Sequence, residues 1–305
     1  MSVMHVMLPP LAQLAAVGHW PSWLARGDRL PERPEPRTAL VRQLLPFPGT
    51  DLPTAALRHH LYAADAASGA WLCADPAWVR SEATGARLMA WPLTDVTADE
   101  AQALATSVQP LFGDAGMPLV VDTPNQWCVR LADGAQPPAF SAPAFALGTA
   151  LLDCLPAGAG GRAWRRLFSE VQIVLHAHAV NAARIAAGQH PVNALWFWGA
   201  GALPHAVATG LRVVASRDDT WRGLAKIANI PCVEPLLAAL KTVPSDGDAL
   251  LDLADDAAHH DFSAWLTALQ RDLRTGRYAA VELTFASGER FCVRHAHRLR
   301  FWRHA

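Results

Sequence analysis

Asn181 and Arg184 stand three residues apart in "NAARIAAG", so a helix places their side chains next to each other. The planar guanidinium of Arg184 is suited to a carboxylate or phosphate. Asn193 follows just ahead of the apolar run "ALWFWGAG", in which Trp196 and Trp198 fall on one face of a strand. Gly199 and Gly201 let a backbone come close to a partner. Asn181, Arg184, Asn193 and Trp198 together would suit a pocket for a small phosphorylated or carboxylated metabolite. A structural alternative uses the same residues differently. The asparagines would tie loop backbone, Arg184 would pair with an acid such as Glu170 or Asp153, and the tryptophans would fill a core.

Other chemistry-bearing residues give weaker signals. His176 and His178 are two apart on an expected helix, which turns their rings about 200° from each other and prevents chelation of one ion. His178 falls on the apolar stripe of that helix and reads as a core histidine. The tail carries Arg290, Arg294, Arg298, Arg300 and Arg303 around Phe301 and Trp302. Basic residues interleaved with aromatics can contact RNA or an acidic partner, although a charge run also suits a solvated segment.

The elements that position these residues follow from pattern. "VMHVMLPPLAQLAAV" reads as strand, turn and helix, and "GDRLPERPEPRTALV" as a surface loop rich in Pro and Arg. "TDLPTAALRHHLYAAD" predicts a short helix, and "GAWLCADPAWVR" a buried strand that breaks at Asp75-Pro76. Thr97 or Asp95 caps a helix with Ala101, Leu104 and Val108 on one face, and a hairpin turns at Pro124-Asn125. These form a small α+β unit over about 94–134. A long helix covers "RAWRRLFSEVQIVLHAHAVNAARIAAG" and ends at Gly188. "NALWFWGAG" and "LRVVAS" are buried strands, "TWRGLAKIA" is a helix, and the end is a hairpin. Strands alternating with helices argue for a layered, largely parallel α/β sheet, with Trp196 and Trp198 on a central strand.

Composition sets outer limits. The 305 residues are 51% apolar and 17% charged, with a net charge of -1. That suffices for a large core and argues against general binding to nucleic acid or anionic membrane. No apolar run is long enough to suggest a membrane span, and the apolar start, broken by Pro9 and Pro10, reads as a first strand and not as a signal peptide. Five scattered cysteines without a CxxC pair fit buried thiols in a reducing cytoplasm.

The spacing Asn181, Arg184, Gly188, Pro191, Asn193, Gly199, Gly201 resembles a motif of the archaeal-type, cofactor-independent phosphoglycerate mutases. The Trp-x-Trp-Gly strand, "WLCADP", "EVQIVLHAHAVN" and "RTGRYAAVELTFASGE" are similar to a bacterial offshoot of that group, the RpfE-type regulatory proteins. The resemblance implies the alkaline phosphatase superfamily fold. Its core would cover 1–93 and 151–305, with a ferredoxin-like α+β insertion at 94–150. It also implies two divalent metals and a hydroxyl nucleophile. "PGTD" would put Thr50 at the nucleophile position beside Asp51, unless either residue merely caps the next helix. "ADDAAHHD" would supply Asp255 and His259 as metal ligands, four apart and able to share a helix face; the same stretch also reads as a polar helix start or loop.

Two parts of that metal centre have no counterpart. The first strand ends in Leu8-Pro9-Pro10 where the mutases carry an Asp-Gly, and "VELTFASGERF" holds neither Asp nor His. The expectation is therefore a diverged, non-catalytic cytoplasmic protein with a regulatory or ligand-binding role and no cofactor. Its partner would be a protein or a small phosphorylated or carboxylated metabolite, with neither membrane nor nucleic acid involved. One alternative is a metal-dependent phosphotransfer enzyme with a reduced site, using manganese or zinc. Another is an interaction module acting through the basic C-terminal tail.

Overall fold

The computed structural model describes residues 2–14, 17, 20–83, 85–240, 246–255 and 260–300, with backbone alone at 239 and 240. The strands in chain order are β1 (Val3–Leu8), β2 (Asp28–Leu30), β3 (Ala70–Glu82), β4 (Gly85–Ala90), β5 (Leu119–Thr123) and β6 (Gln126–Arg130). Next come β7 (Ala194–Ala202), β8 (Leu211–Ala215), β9 (Cys232–Val233), β10 (Asp248–Asp252), β11 (Ala280–Phe285) and β12 (Arg290–Arg294). The helices begin with α1 (Leu11–Leu14), α2 (Trp20–Arg26), α3 (Pro36–Leu44), α4 (Thr54–Tyr62), α5 (Ala98–Asp114) and α6 (Pro143–Ala146). They continue with α7 (Leu151–Cys154), α8 (Arg162–His176), α9 (Ala179–Ala186), α10 (Asp219–Ile227), α11 (Leu237–Leu240) and α12 (Phe262–Arg274). Among the described residues no helix is long and apolar enough to cross a membrane.

The chain divides into two units, one of residues 1–49 with 204–305 and one of residues 50–203. The first holds a sheet in the order β2-β12-β11-β1-β10-β8-β9. β11, β1, β10, β8 and β9 pair in parallel, and β12 and β2 close one edge antiparallel. Strands buried on both faces tend to be apolar runs, and "VMHVML" of β1, apart from His5, and "ALL" of β10 are apolar and almost wholly buried. Phe262, Trp265, Leu266, Leu269 and Leu273 repeat at helical spacing along α12 and seal one side of this core. One sequence expectation changes here: the Pro/Arg-rich stretch contains β2 and the first six residues of α3, and "DALLD", just ahead of "ADDAAHHD", is the strand β10.

The second unit is built on β3. β7 pairs antiparallel along one side of it, while β6 and then β4 occupy the other, with β5 outside β6. β3 does not break at Pro76. The β6 partner ends at Cys73 and the β4 partner begins at Trp78, so on that side proline's missing N–H interrupts no ladder. β7 is accordingly not the central parallel strand that its apolar run suggested. α5 covers the sheet with Ala101, Leu104 and Val108 fully buried, and its start is closed by a Thr97–Glu100 capping box. This unit covers residues 50–203, and its sheet includes β3 with β7 paired along one side of it.

Candidate functional site

In open α/β sheets, polar chemistry collects at the carboxyl ends of the parallel strands. Here those ends carry an acidic group. Asp252 closes β10, Ser216 follows β8, Asp218 caps α10, and Asp255 lies in the turn after β10. A cation from α3 sits among them. Arg37 donates from Nη1 to Asp252 at 2.9 Å and lies 3.3 Å from Asp218, while its Nη2 reaches Asp255 at 2.8 Å. The chain enters α3 through Glu35 at φ +47°, followed by Pro36 at the first helical position, which sets Arg37 in the first turn.

The carboxylates have little capacity left. Asp252 is 2% exposed and also accepts from Ser216 Oγ at 3.2 Å and from the amide of Ala254 at 3.1 Å. Asp218 spends Oδ1 on the amides of Thr220 and Trp221 at 3.0 and 3.1 Å. Burial opposes the charge on Arg37, but Asp252, Asp218 and Asp255 outweigh it and hold its pKa above the ordinary guanidinium value. Burial raises Asp252. Burial also lifts Asp255 to about 7, against the pull of Arg37 and with the push of the neighbouring acids. The pair of divalent metals implied by the mutase resemblance does not fit this arrangement, since a guanidinium already engages all three carboxylates and β1 ends in the buried Leu8 with no acid. Asp255 is thus placed, as expected, in a cation-binding group, but its cation is an arginine. His259 lies outside the described residues.

The motif residues of the second unit perform architectural work. Asn181 is buried and donates to the carbonyls of Leu175 and Val192, both at 2.7 Å, while accepting from the Val192 amide at 2.8 Å. Asn193 exchanges two 2.8 Å bonds with the backbone of Val79, so that its amide group extends the β-ladder. Arg184 is 1% exposed. It donates to the carbonyls of His190 and Asp95 and to the side chains of Asp95 (2.9 Å) and Glu100 (3.0 Å). It therefore grips the start of α5, and the acids it uses are Asp95 and Glu100 in place of Glu170 or Asp153. Trp198 donates from Nε1 to Asp75 at 2.8 Å. Asp75 is buried in a two-bond pair with Arg58, so Trp198 walls an internal ion pair. Gly199 has φ +63°, and a Cβ there would stand 2.9 Å from Thr54 Cβ; the close partner of this backbone is the start of α4.

This chain is similar to phosphoglycerate mutases. A stretch of 94 residues is 39% identical to the 2,3-bisphosphoglycerate-independent phosphoglycerate mutase of Methanosarcina barkeri. That match covers 28% of this chain and 23% of the mutase, so less than a quarter of the relative is spanned. No protein-family model matches the chain. Among solved structures, a cofactor-independent phosphoglycerate mutase from Thermoplasma acidophilum aligns over 96% of this chain and 89% of its own, with 15% identity and a TM-score of 0.43. A Pyrococcus horikoshii protein aligns over 96% and 87%, with 11% identity and a TM-score of 0.44. At these values the fold description rests on the strand order itself.

The remaining candidates are placed as follows. Thr50 and Asp51 are exposed and belong to the second unit, whereas Asp255 belongs to the first. Neither caps α4, whose N-cap is Pro53 without a side-chain bond. His178 is not a core residue of one long helix. It breaks that helix into α8 and α9 and caps the second, its Nδ1 accepting from the Val180 amide at 3.2 Å. In the basic tail, Arg294 and His297 lie 3.1 and 3.4 Å from Asp28, and Arg300 also donates to that carboxylate. Arg290 is buried beside Glu282. The described part of the tail is thus folded back on acids of its own unit. Residues 301–305, with Phe301, Trp302 and Arg303, lie outside the described range.

Sequence reasoning missed Arg37, Ser216, Asp218 and Asp252. Signals existed for three of them: Pro36 as a helix-starting proline, Asp218 ahead of "DTWRGLAKI" as a cap, and Asp252 as the acid ending a short apolar run.

Proposed function

We propose that this chain is a phosphoglycerate-mutase-like protein with an alkaline-phosphatase-type ancestry, and that its role is regulatory and not catalytic. One observation carries the reading. At the carboxyl ends of the parallel strands, where divalent metals would be expected to work on a phosphoryl group, an internal guanidinium engages the carboxylates. A guanidinium supplies positive charge, but it cannot lower the pKa of a bound hydroxyl or water as a divalent ion does. The 39% identical stretch supports the ancestry, and the Asp252–Arg37 pairing supports the loss of metal chemistry. Since Arg184, Asn181 and Asn193 are consumed internally, the regulatory role falls to a protein partner in preference to an anionic metabolite held by those residues.

The test is direct. Purified protein is incubated with 3-phosphoglycerate and manganese, zinc or magnesium, and 2-phosphoglycerate is measured. No turnover is expected with any of the three metals. Turnover that disappears in Asp255→Ala would overturn the proposal and restore the enzyme alternative built on Thr50, Asp51, Asp255 and His259.

A further inference from the structure

A second polar group lies inside the unit of residues 50–203. β5 and β6 form a hairpin that presents Asp122 and Cys128, and α4 lays His59 over it. His59 is 1% exposed and Cys128 2% exposed, while the Asp122 side chain is 5% exposed. His59 Nδ1 stands 2.7 Å from Asp122 Oδ1, and Cys128 Sγ stands 3.5 Å from Asp122 Oδ2. One imidazole nitrogen, one carboxylate oxygen and one sulfur all lie within 4.8 Å of one another. Ligand atoms on a tetrahedral zinc ion stand roughly 3.3–3.7 Å apart, given zinc–ligand bonds of about 2.0–2.3 Å. The sulfur spacing is to Oδ2 and the histidine spacing to Oδ1, so the Asp122 carboxylate must turn to offer one oxygen to the ion, and the histidine–carboxylate spacing needs to open by about 0.7 Å.

The surroundings have the form of a metal ligand's outer shell. The other ring nitrogen of His59, Nε2, lies 3.0 Å from Asp65 Oδ1. A metal-bound histidine characteristically donates its remaining N–H to a carboxylate, which fixes both tautomer and ring orientation. The ring is held from the side by Trp71, with centroids 4.0 Å apart. Trp71 in turn donates to the carbonyl of Ala66, within the turn that carries Asp65. A simple buried histidine–aspartate pair requires neither the thiol nor the second carboxylate. Cys73, directly across from Cys128 in the sheet, is engaged elsewhere: Arg58 Nη1 lies 3.3 Å from its sulfur.

We infer that His59 Nδ1, Asp122 and Cys128 Sγ form a binding site for one zinc ion, with Asp65 as the outer carboxylate and the fourth position left to water. The donor set of sulfur, nitrogen and oxygen selects zinc or cobalt over magnesium or manganese. This inference is independent of the proposed function, since it concerns a different unit and different ligands.

The experiment loads wild-type protein with Co2+ and separately with Zn2+, removes free ion, and measures metal content, absorption and thermal stability. One ion per chain is expected, with a thiolate-to-cobalt charge-transfer band and a zinc-dependent rise in melting temperature. Cys128→Ser loses the band and the zinc shift, and Asp65→Asn weakens zinc binding by roughly 10–100-fold. Cys232→Ser, at an exposed thiol, and Asp255→Asn, at the strand ends, leave both unchanged. Should Cys128→Ser fail to fold, the band in wild type decides alone. Absence of bound cobalt, cobalt bound without a thiolate band, or a band that survives in folded Cys128→Ser would each overturn the site.

Discussion

One guanidinium cannot neutralise three carboxylates. At the strand ends the excess negative charge is relieved by protonation, and Asp255, the outermost acid, takes the proton near pH 7. A carboxyl group whose folded pKa lies above its unfolded value binds more protons when folded. Its stability contribution is therefore complete below about pH 4 and is lost as pH rises through about 7. Asparagine mimics the protonated form and has no such dependence. We expect the stability of Asp255→Asn relative to wild type to rise steadily from pH 4 to pH 7, as followed by urea unfolding across that range. A flat difference would show that Asp255 titrates normally. The contrast with Arg184 is instructive at the same scale. Both arginines are held by acids, but Arg184 is closed off by the backbone of its own loop and by α5, and its fork closes a loop instead of replacing an ion.

Among the elements, β7 shows how a glycine of the motif is fixed by its backbone and its neighbour. Gly199 is required because its backbone is left-handed and because Thr54 at the start of α4 occupies the space a Cβ would need. Gly188 has the same sign of φ, at +75°, after α9, but nothing stands within 4 Å of its would-be Cβ. Gly188→Ala should thus cost only the conformational penalty of about 1 kcal/mol, and Gly199→Ala clearly more, roughly 2–3 kcal/mol. Denaturant midpoints of the two variants provide the check, and equal losses would refute the close approach.

The same elements show what was legible beforehand. A cap at Thr97 or Asp95 for α5, its buried face, the β5–β6 hairpin and the glycine after α9 follow from local chemistry, and the structure contains them, with Thr97 as the cap. β10 was not legible, because a three-residue apolar run flanked by acids has no period that separates strand from helix. The pairing of β7 with β3 was not legible either, since a buried strand reads alike whichever direction its partner runs. The interruption at His178 was hidden by a stripe that passes through it in register. Arg37 was concealed for a further reason: its meaning comes from three acids more than 180 residues away in the chain, brought together only by the parallel sheet.

At the scale of the whole molecule, each unit has its own core, one around β1, β10, β11 and α12 and one around β3, β7 and α5. The similarity to phosphoglycerate mutases is confined in sequence to 94 residues. Within the first unit, the parallel sheet carries an acidic group at its carboxyl end, and the side chain of Arg37 fills it. The proposed non-catalytic role depends on Arg37 occupying the space among Asp218, Asp252 and Asp255. The measurement that tests it most directly is the thermal response to Mn2+ of wild type, Arg37→Ala and Arg37→Ala/Asp252→Asn. Manganese is chosen because it favours oxygen ligands and so reports on the carboxylates and not on the thiolate of Cys128. Wild type should show no shift. Arg37→Ala should be less stable by about 3 kcal/mol without metal and should recover stability as Mn2+ is added, and the second substitution should abolish that recovery. Stoichiometric Mn2+ binding by wild type that is lost in Asp255→Asn, or a folded Arg37→Ala that gains no response to Mn2+, would contradict the account.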